Sequence, residues 1–589
     1  MKSDPFTARI SRREAIAGLV GLPLAISACS ESRPRPIEGE IVGAADKLGH
    51  RLRDGFLPPP TSRRSVPVVI VGGGVAGLAA AWRLARAGVH DFELIELEPV
   101  LGGTAQPGEN EVCAYPWGAH YVPAPLPHAR AMIELLAEAG AGELDAATGR
   151  FVPDEAQLCR SPEERLFVAD RWYEGLFPWP GASPEELAER ERFESEMAAW
   201  AARRDARGRR AFAVPMAYGS DDADVTALDR ISMAEWLDSR GFRSKRLRWF
   251  AEYACRDDFG AMLDTTSAWA GVHYFASRYE RDETQPFLTW PEGNGHLVAH
   301  LAARARASGG RLRSGVAVTK IRASAAADAA NAASRRSVEV WTYEPSTGTA
   351  EALDAERVIV ALPAAFAARL LGDDDLIHDA RDFQVSPWLV ANLTLARRPR
   401  SRGFPEAWDN VIYGSAGLGY VVATHQLDEG LCEPSVLAAL AGGASGRAPA
   451  SATSPGCSHR APPSYGRTVW TYYLPLTDAD PRAARERLLA TDHASAVDAI
   501  FADLKRAHPD LRECVSRVDV WRWGHGMIRP VTGFVWGAAR KRAAEPRGAV
   551  HFAHTDLSGL PLFEEAQFHG VRAAEEVLAA RGVAFEPLA

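Results

Sequence analysis

The chain has 589 residues, 47% hydrophobic and 24% charged, with a formal net charge of −9. That is long enough for at least two domains around a substantial core. The acidic balance argues against a nucleic-acid partner and inclines toward cationic ligands. Arg far outnumbers Lys, only Lys2, Lys47, Lys245, Lys320, Lys505 and Lys541 being present, a bias of composition rather than of chemistry.

From the N-terminus, Ser11-Arg12-Arg13 precedes an uncharged, mostly apolar stretch from Ala15 to Ala28. It is too short for an ordinary membrane span and has the form of an export-signal core. It resembles a twin-arginine signal, with Ala15 and Ile16 where Phe and Leu are common. Ile26-Ser27-Ala28-Cys29 resembles a lipobox, which implies cleavage before Cys29 and a diacylglycerol on its sulfur. The alternative is a short membrane anchor with an incidental Cys. Either way the body is expected outside the cytoplasm, on the periplasmic face and tethered to a membrane. Residues 30–65, with Pro34, Pro36, Pro58, Pro59 and Pro60, read as a tether, and folded structure is expected from about Val66.

Val68 to Val71 is an apolar run of strand length leading into Gly72, Gly74 and Gly77, the glycine triplet of a dinucleotide fingerprint. Gly72 allows the tight turn, and Gly74 lets backbone approach a pyrophosphate. Gly77 lets the next helix, entered through Val75 and Ala76, pack close to the strand. The helix N-terminus then offers free N–H groups to the phosphates. A second strand, Phe92 to Ile95, ends at Glu96, where a carboxylate can hold an adenosine ribose. Leu101-Gly102-Gly103-Thr104 follows and resembles the second glycine motif of the FAD-dependent amine oxidases, phytoene desaturases and protoporphyrinogen oxidases. The resemblance implies FAD, with Thr104 where that superfamily usually has Arg, and the lack of a Cys in the closing motif near the C-terminus argues against a covalent link to it. Export of a folded protein suits a flavoprotein, because FAD is made in the cytoplasm and inserted as the chain folds.

Further along, Ser183-Pro184-Glu185-Glu186 reads as a helix start, and the charged stretch to Arg210 as a solvated face. Trp290 to Leu297 opens a helix with Leu297, Leu301 and Ala305 on one side. Arg311 to Ile321 returns as a strand that resembles the superfamily's adenine-contacting segment, Val318 being the matching position. Val338, Val340 and Thr342 alternate as a strand, Pro345 to Gly348 turn the chain, and Arg357 to Pro363 form another strand. Ala323 to Arg336 and Gly442 to Tyr465 read as loop insertions. The strand Ala549 to Asp556 and the segment Glu565 to Ala574 are similar to the superfamily's closing motif, implying cofactor contacts at Asp556 and Gly570. The fold class expected is α/β: a discontinuous Rossmann-like FAD-binding domain (66–130, 290–363 and 545–589) with an α+β substrate-binding domain (131–289 and 364–544).

With no second fingerprint for a nicotinamide cofactor, the flavin is expected to be reduced by its substrate and reoxidised by oxygen or a quinone. The leading expectation is an amine substrate, polyamine or monoamine, oxidised at a C–N bond. A desaturase or isomerase of a lipophilic polyene or tetrapyrrole, and a non-catalytic FAD-stabilised binding protein, stay open. Trp117-Gly118-Ala119-His120 resembles the segment beside the flavin in amine oxidases, so Gly118 and Ala119 are cofactor candidates. His120 either orients substrate, tunes the flavin, or is simply packed. Tyr274, Trp523 and His525 are pocket candidates from aromatic-rich segments, most of which read as core. No Cys-x-x-Cys or His/Cys cluster suggests a metal. Beyond Cys29, the wide spacing of Cys113, Cys159, Cys255, Cys432, Cys457 and Cys514 reads as buried thiols rather than a disulfide framework.

Overall fold

The computed structural model describes residues 36–280, 283–323, 338–427, 435–440 and 466–589. The export signal with Cys29, both loop insertions apart from Ala323, and Cys432 and Cys457 lie outside the described residues. The four described cysteines below Cys29 in the chain, Cys113, Cys159, Cys255 and Cys514, are buried thiols.

Five parallel strands make the first sheet, in the order Arg311–Arg313, Phe92–Ile95, Val68–Val71, Arg357–Val360, Val550–Phe552. Val68–Val71 is the central strand and buried along its whole length, as a parallel strand covered on both faces must be. Its side chains alternate. Val68 and Ile70 pack with Leu78, Trp82, Leu297 and Val571 of helices on one face, while Val69 and Val71 pack with Val318, Ile321 and Val340 on the other. Those last residues belong to a four-stranded sheet built from Ala317–Ala323, Val338–Glu344, Thr349–Ala355 and Ser62–Ser65.

The second large sheet has eight strands. Val385–Leu395 sits within it, antiparallel to both Thr468–Pro475 and Val515–Ile528. A separate helical core forms around Phe193, Phe212, Phe242 and Trp269. Helix Pro184–Ala202 starts with a Ser183/Glu186 capping box and buries only Phe193, Met197 and Ala201, so its charged positions are solvated. Among the described residues no helix is long and apolar enough to cross a membrane.

The expected tether is corrected from Glu38 onward. Ile41–Gly43 pairs in parallel with Val520 and Trp521, Asp46–Arg53 is helical, and Ser62–Ser65 pairs with Glu351 to Asp354. The reason lies in the partners. Two sheets end on strands with free backbone groups, and the chain supplies an edge to each. The prolines 58–60 fall between these strands, where no ladder N–H is needed.

Candidate functional site

The turn after Val68–Val71 is made of bare backbone. Gly72 has φ +105°, and a Cβ there would lie 2.4 Å from the Ala361 carbonyl oxygen. A Cβ on Gly77 would lie 1.9 Å from the Gly72 oxygen, so the helix Val75–Arg86 can pack close only because that position is glycine. Gly74 begins this helix with no side-chain cap, so no side chain competes for its first N–H groups. The loop carrying Leu101 folds back over the turn. The Gly102 N–H donates to the Gly73 oxygen at 2.9 Å, and Gly103 brings its Cα to within 3.9 Å of where a Gly74 Cβ would be. Val75 and Ala76 are buried behind this surface.

Glu96 closes the far side. Its carboxylate accepts from the Gly73 N–H at 2.5 Å and the Glu98 N–H at 2.8 Å. Burial raises its pKa. A glycine cradle at an uncapped helix N-terminus fits a pyrophosphate, and a buried carboxylate at the end of the adjacent strand fits a ribose diol. The residues present therefore fit FAD.

Other expected cofactor positions fall in different surroundings. A Cβ on Gly118 would lie 2.1 Å from the Thr104 oxygen, and the Ala119 N–H donates to that oxygen at 3.0 Å, so Thr104, Gly118 and Ala119 form one tight backbone crossing. Val318 is buried opposite Thr342 in the four-stranded sheet. Asp556 is buried and accepts from the Ala364 N–H at 2.8 Å, with His554 Nδ1 3.0 Å from its other oxygen. Gly570 is explained by packing. A Cβ there would lie 2.2 Å from the Ala76 oxygen and 2.9 Å from the Ala79 Cβ, which makes it the contact between helices Phe563–Arg581 and Val75–Arg86.

Beside the Thr104–Gly118 crossing lies a cavity of about 140 Å³. His120 stands in its wall with the Nδ1 3.1 Å from the Gly118 oxygen, the geometry of an Nδ1–H donor. Burial lowers the pKa of His120 to about 4, so the imidazole is neutral. The Tyr473 hydroxyl donates to the same Gly118 oxygen at 2.9 Å. Trp523 also lines the cavity, its indole N–H donating to the Trp117 oxygen at 2.7 Å and its ring stacked on Trp521. Trp388 completes an aromatic side.

The cavity lining is also acidic, with Asp257, Asp258 and Glu564 and with Arg278 among them. Arg278 donates to Asp258 at 2.8 Å. Desolvation, and then the neighbouring Asp258 charge, push Asp257 up to about 7. Desolvation does the same to Glu564, also to about 7. Asp258 is raised by desolvation against the opposing pull of Arg278.

Two pocket candidates are corrected. Tyr274 is not part of the wall; it lies next to one lining residue, with the Arg278 guanidinium 4.9 Å from its ring centre. His525 is exposed, edge-on to Phe366 at 4.9 Å, and is not part of the wall either. The acids were missed, although a signal existed. Asp258 continues the buried stripe of Ala251, Ala254 and Cys255 on helix Lys245–Phe259, and an acid in an apolar stripe marks a buried charge with a task.

The family model described as flavin containing amine oxidoreductase matches residues 75–578. The chain belongs to this family. It is an FAD-dependent oxidoreductase. Among solved structures, a doubly substituted putrescine oxidase matches with TM-score 0.59 at 17% identity, covering 88% of this chain and 100% of that one. Cyclohexylamine oxidase from Brevibacterium oxydans IH-35A gives 0.55 at 16%, covering 88% and 100%. A fatty acid isomerase from P. acnes, producing CLA, gives 0.55 at 14%, covering 87% and 98%. At such identities the likeness is one of fold. No curated protein sequence matches the chain.

Proposed function

We propose that this flavoenzyme oxidises a C–N bond of a small primary amine, and that a diamine or polyamine fits better than a monoamine. The observation that carries the reading is one cavity lined both by the acids Asp257, Asp258 and Glu564 and by the aromatic Trp388, Tyr473 and Trp523. Aromatic faces attract an alkylammonium, and more carboxylates than guanidinium groups leave charge for a second cation. When bound, FAD supplies the acceptor for the hydride that leaves the carbon next to nitrogen.

The amine must first be neutral. Asp257, with its pKa near 7, is matched to take the ammonium proton at neutral pH. Loss of that proton and then of hydride leaves an iminium ion, which water hydrolyses to an aldehyde and ammonium. His120, neutral and fixed through Gly118, orients rather than carries charge. Oxygen or a quinone is the proposed final acceptor. No described lysine lines the cavity.

Export through a twin-arginine signal and a lipid on Cys29, holding the enzyme at the periplasmic face of a membrane, belong to the same proposal. They are supported by Ser11-Arg12-Arg13 and Ile26 to Cys29. Labelled-palmitate incorporation that survives in a Cys29→Ser variant would refute the anchor. For the chemistry, the purified protein is titrated anaerobically with putrescine, spermidine, benzylamine and amino acids while the flavin band is followed. Bleaching by the diamine or polyamine supports the reading. A band unmoved by every amine but lost with dithionite refutes it and favours a lipophilic substrate.

A further inference from the structure

The segment between Ile41 and Phe56 precedes the part of the chain that the family model matches, residues 75–578, yet it is moored on both sides of the cofactor cradle. Ile41–Gly43 lies along Val520 and Trp521 at the edge of the large sheet. The Ala45 N–H then donates to Glu98 at 2.8 Å, and Glu98 in turn donates its own N–H to Glu96 at 2.8 Å. Helix Asp46–Arg53 follows. At its far end the Arg53 carbonyl accepts from Arg369 at 3.1 Å. Phe56 next meets Tyr343 edge-on at 5.2 Å, with the Arg51 guanidinium 4.0 Å from its ring centre.

These moorings tie the two ends of the helix to elements on either side of the central strand. Glu98 follows the strand Phe92–Ile95, and Arg369 lies in helix Ala364–Leu371, which follows Arg357–Val360. The strand between those two is Val68–Val71, whose end is the glycine turn. Two inter-strand spacings are about 10 Å, and eight helical residues span about 12 Å. The helix is thus long enough to bridge the elements that follow the two neighbours of the central strand, whose carboxyl end holds the Gly72 to Gly77 cradle. An isolated eight-residue helix is not stable in water, and none of its residues is buried by protein, although Leu48 and Leu52 share a face one turn apart.

We propose that residues 41–56 are a clasp that closes over bound FAD, the helix Asp46–Arg53 covering the ribose and pyrophosphate segment while Ala45 and Arg53 hold it shut. The clasp sets how long the cofactor stays, and its link through Glu98 to Glu96 ties it to the ribose site.

The test reads cofactor residence, not turnover. Ala45→Pro removes the N–H that reaches Glu98 at a position whose φ of −73° suits proline, and Arg369→Ala removes the other mooring. Combined in the full-length FAD-loaded protein, they are expected to speed FAD release at least tenfold, read as the rise of free-flavin fluorescence on dilution. The melting temperature of the stripped protein should be unchanged. Independently, amide exchange of Asp46–Arg53 in the unsubstituted protein should slow at least tenfold when FAD is bound. Release within twofold of the unsubstituted protein, or equal exchange with and without FAD, overturns the proposal.

Discussion

Replacing Gly570 by Ala tests whether that glycine acts on the cofactor directly or through the helix beside it. The added methyl would sit 2.2 Å from the Ala76 carbonyl oxygen and 2.9 Å from the Ala79 Cβ, so helices Phe563–Arg581 and Val75–Arg86 must separate by roughly 1 Å to restore van der Waals contact. Both helices are packed into the core through Leu78, Trp82, Val571 and Leu578. Overpacking of this kind costs about 1–3 kcal/mol, and in a chain of this size each kcal/mol lowers the melting temperature by roughly 1 °C. The moved helix is the one whose N-terminus, uncapped by any side chain, begins in the glycine cradle, and losing one well-aligned bond to a charged group costs about 1.5–3 kcal/mol, or roughly 10- to 100-fold in FAD affinity. The assay is a melt of the stripped protein alongside an FAD titration followed by flavin fluorescence quenching. Packing predicts that both suffer. If FAD affinity falls while the stripped protein melts as before, Gly570 touches the cofactor itself and the packing account is wrong.

Asp257→Asn should lower kcat/KM for putrescine by about 100-fold or more with the flavin spectrum intact. Because only the ionised carboxylate accepts a proton, activity should rise as pH increases through about 7; a variant that keeps this limb clears Asp257 of the role. Glu565 is fully buried, takes bonds from Met216 and Ser558, and has its pKa raised to about 7 by desolvation first. A folded pKa above the unfolded one means stability present at low pH and lost as pH rises from about 4.5 to 7, at roughly 1.4 kcal/mol per pH unit. Glu565→Gln should remove that slope, read from urea midpoints across the window, and an unchanged slope counts against a buried protonated carboxyl. Glu96→Ala removes the acceptor of two backbone N–H groups and should weaken FAD binding by about 10- to 100-fold; equilibrium dialysis showing wild-type affinity would remove Glu96 from the cofactor site.

The cofactor-binding half was legible in the sequence because its signals are local. A strand, a glycine triplet, a helix and an acid must follow one another at near-fixed spacing, since backbone geometry alone dictates where a pyrophosphate and a ribose can sit. The helix cap at Ser183 was legible for the same reason: the bond that makes it spans three residues. The substrate wall was not. Asp257 and Glu564 stand 307 residues apart in the chain, and only the packing of helix Lys245–Phe259 and the start of Phe563–Arg581 beside the large sheet brings them to one cavity. Their raised pKa values exist only after water has been excluded, which no sequence window records. Residues 38–65 show the same limit. Prolines and charges made them read as a tether, but the free edges of Val515–Ile528 and Thr349–Ala355 exist only once distant strands have assembled, and it is those edges that decide where this segment goes.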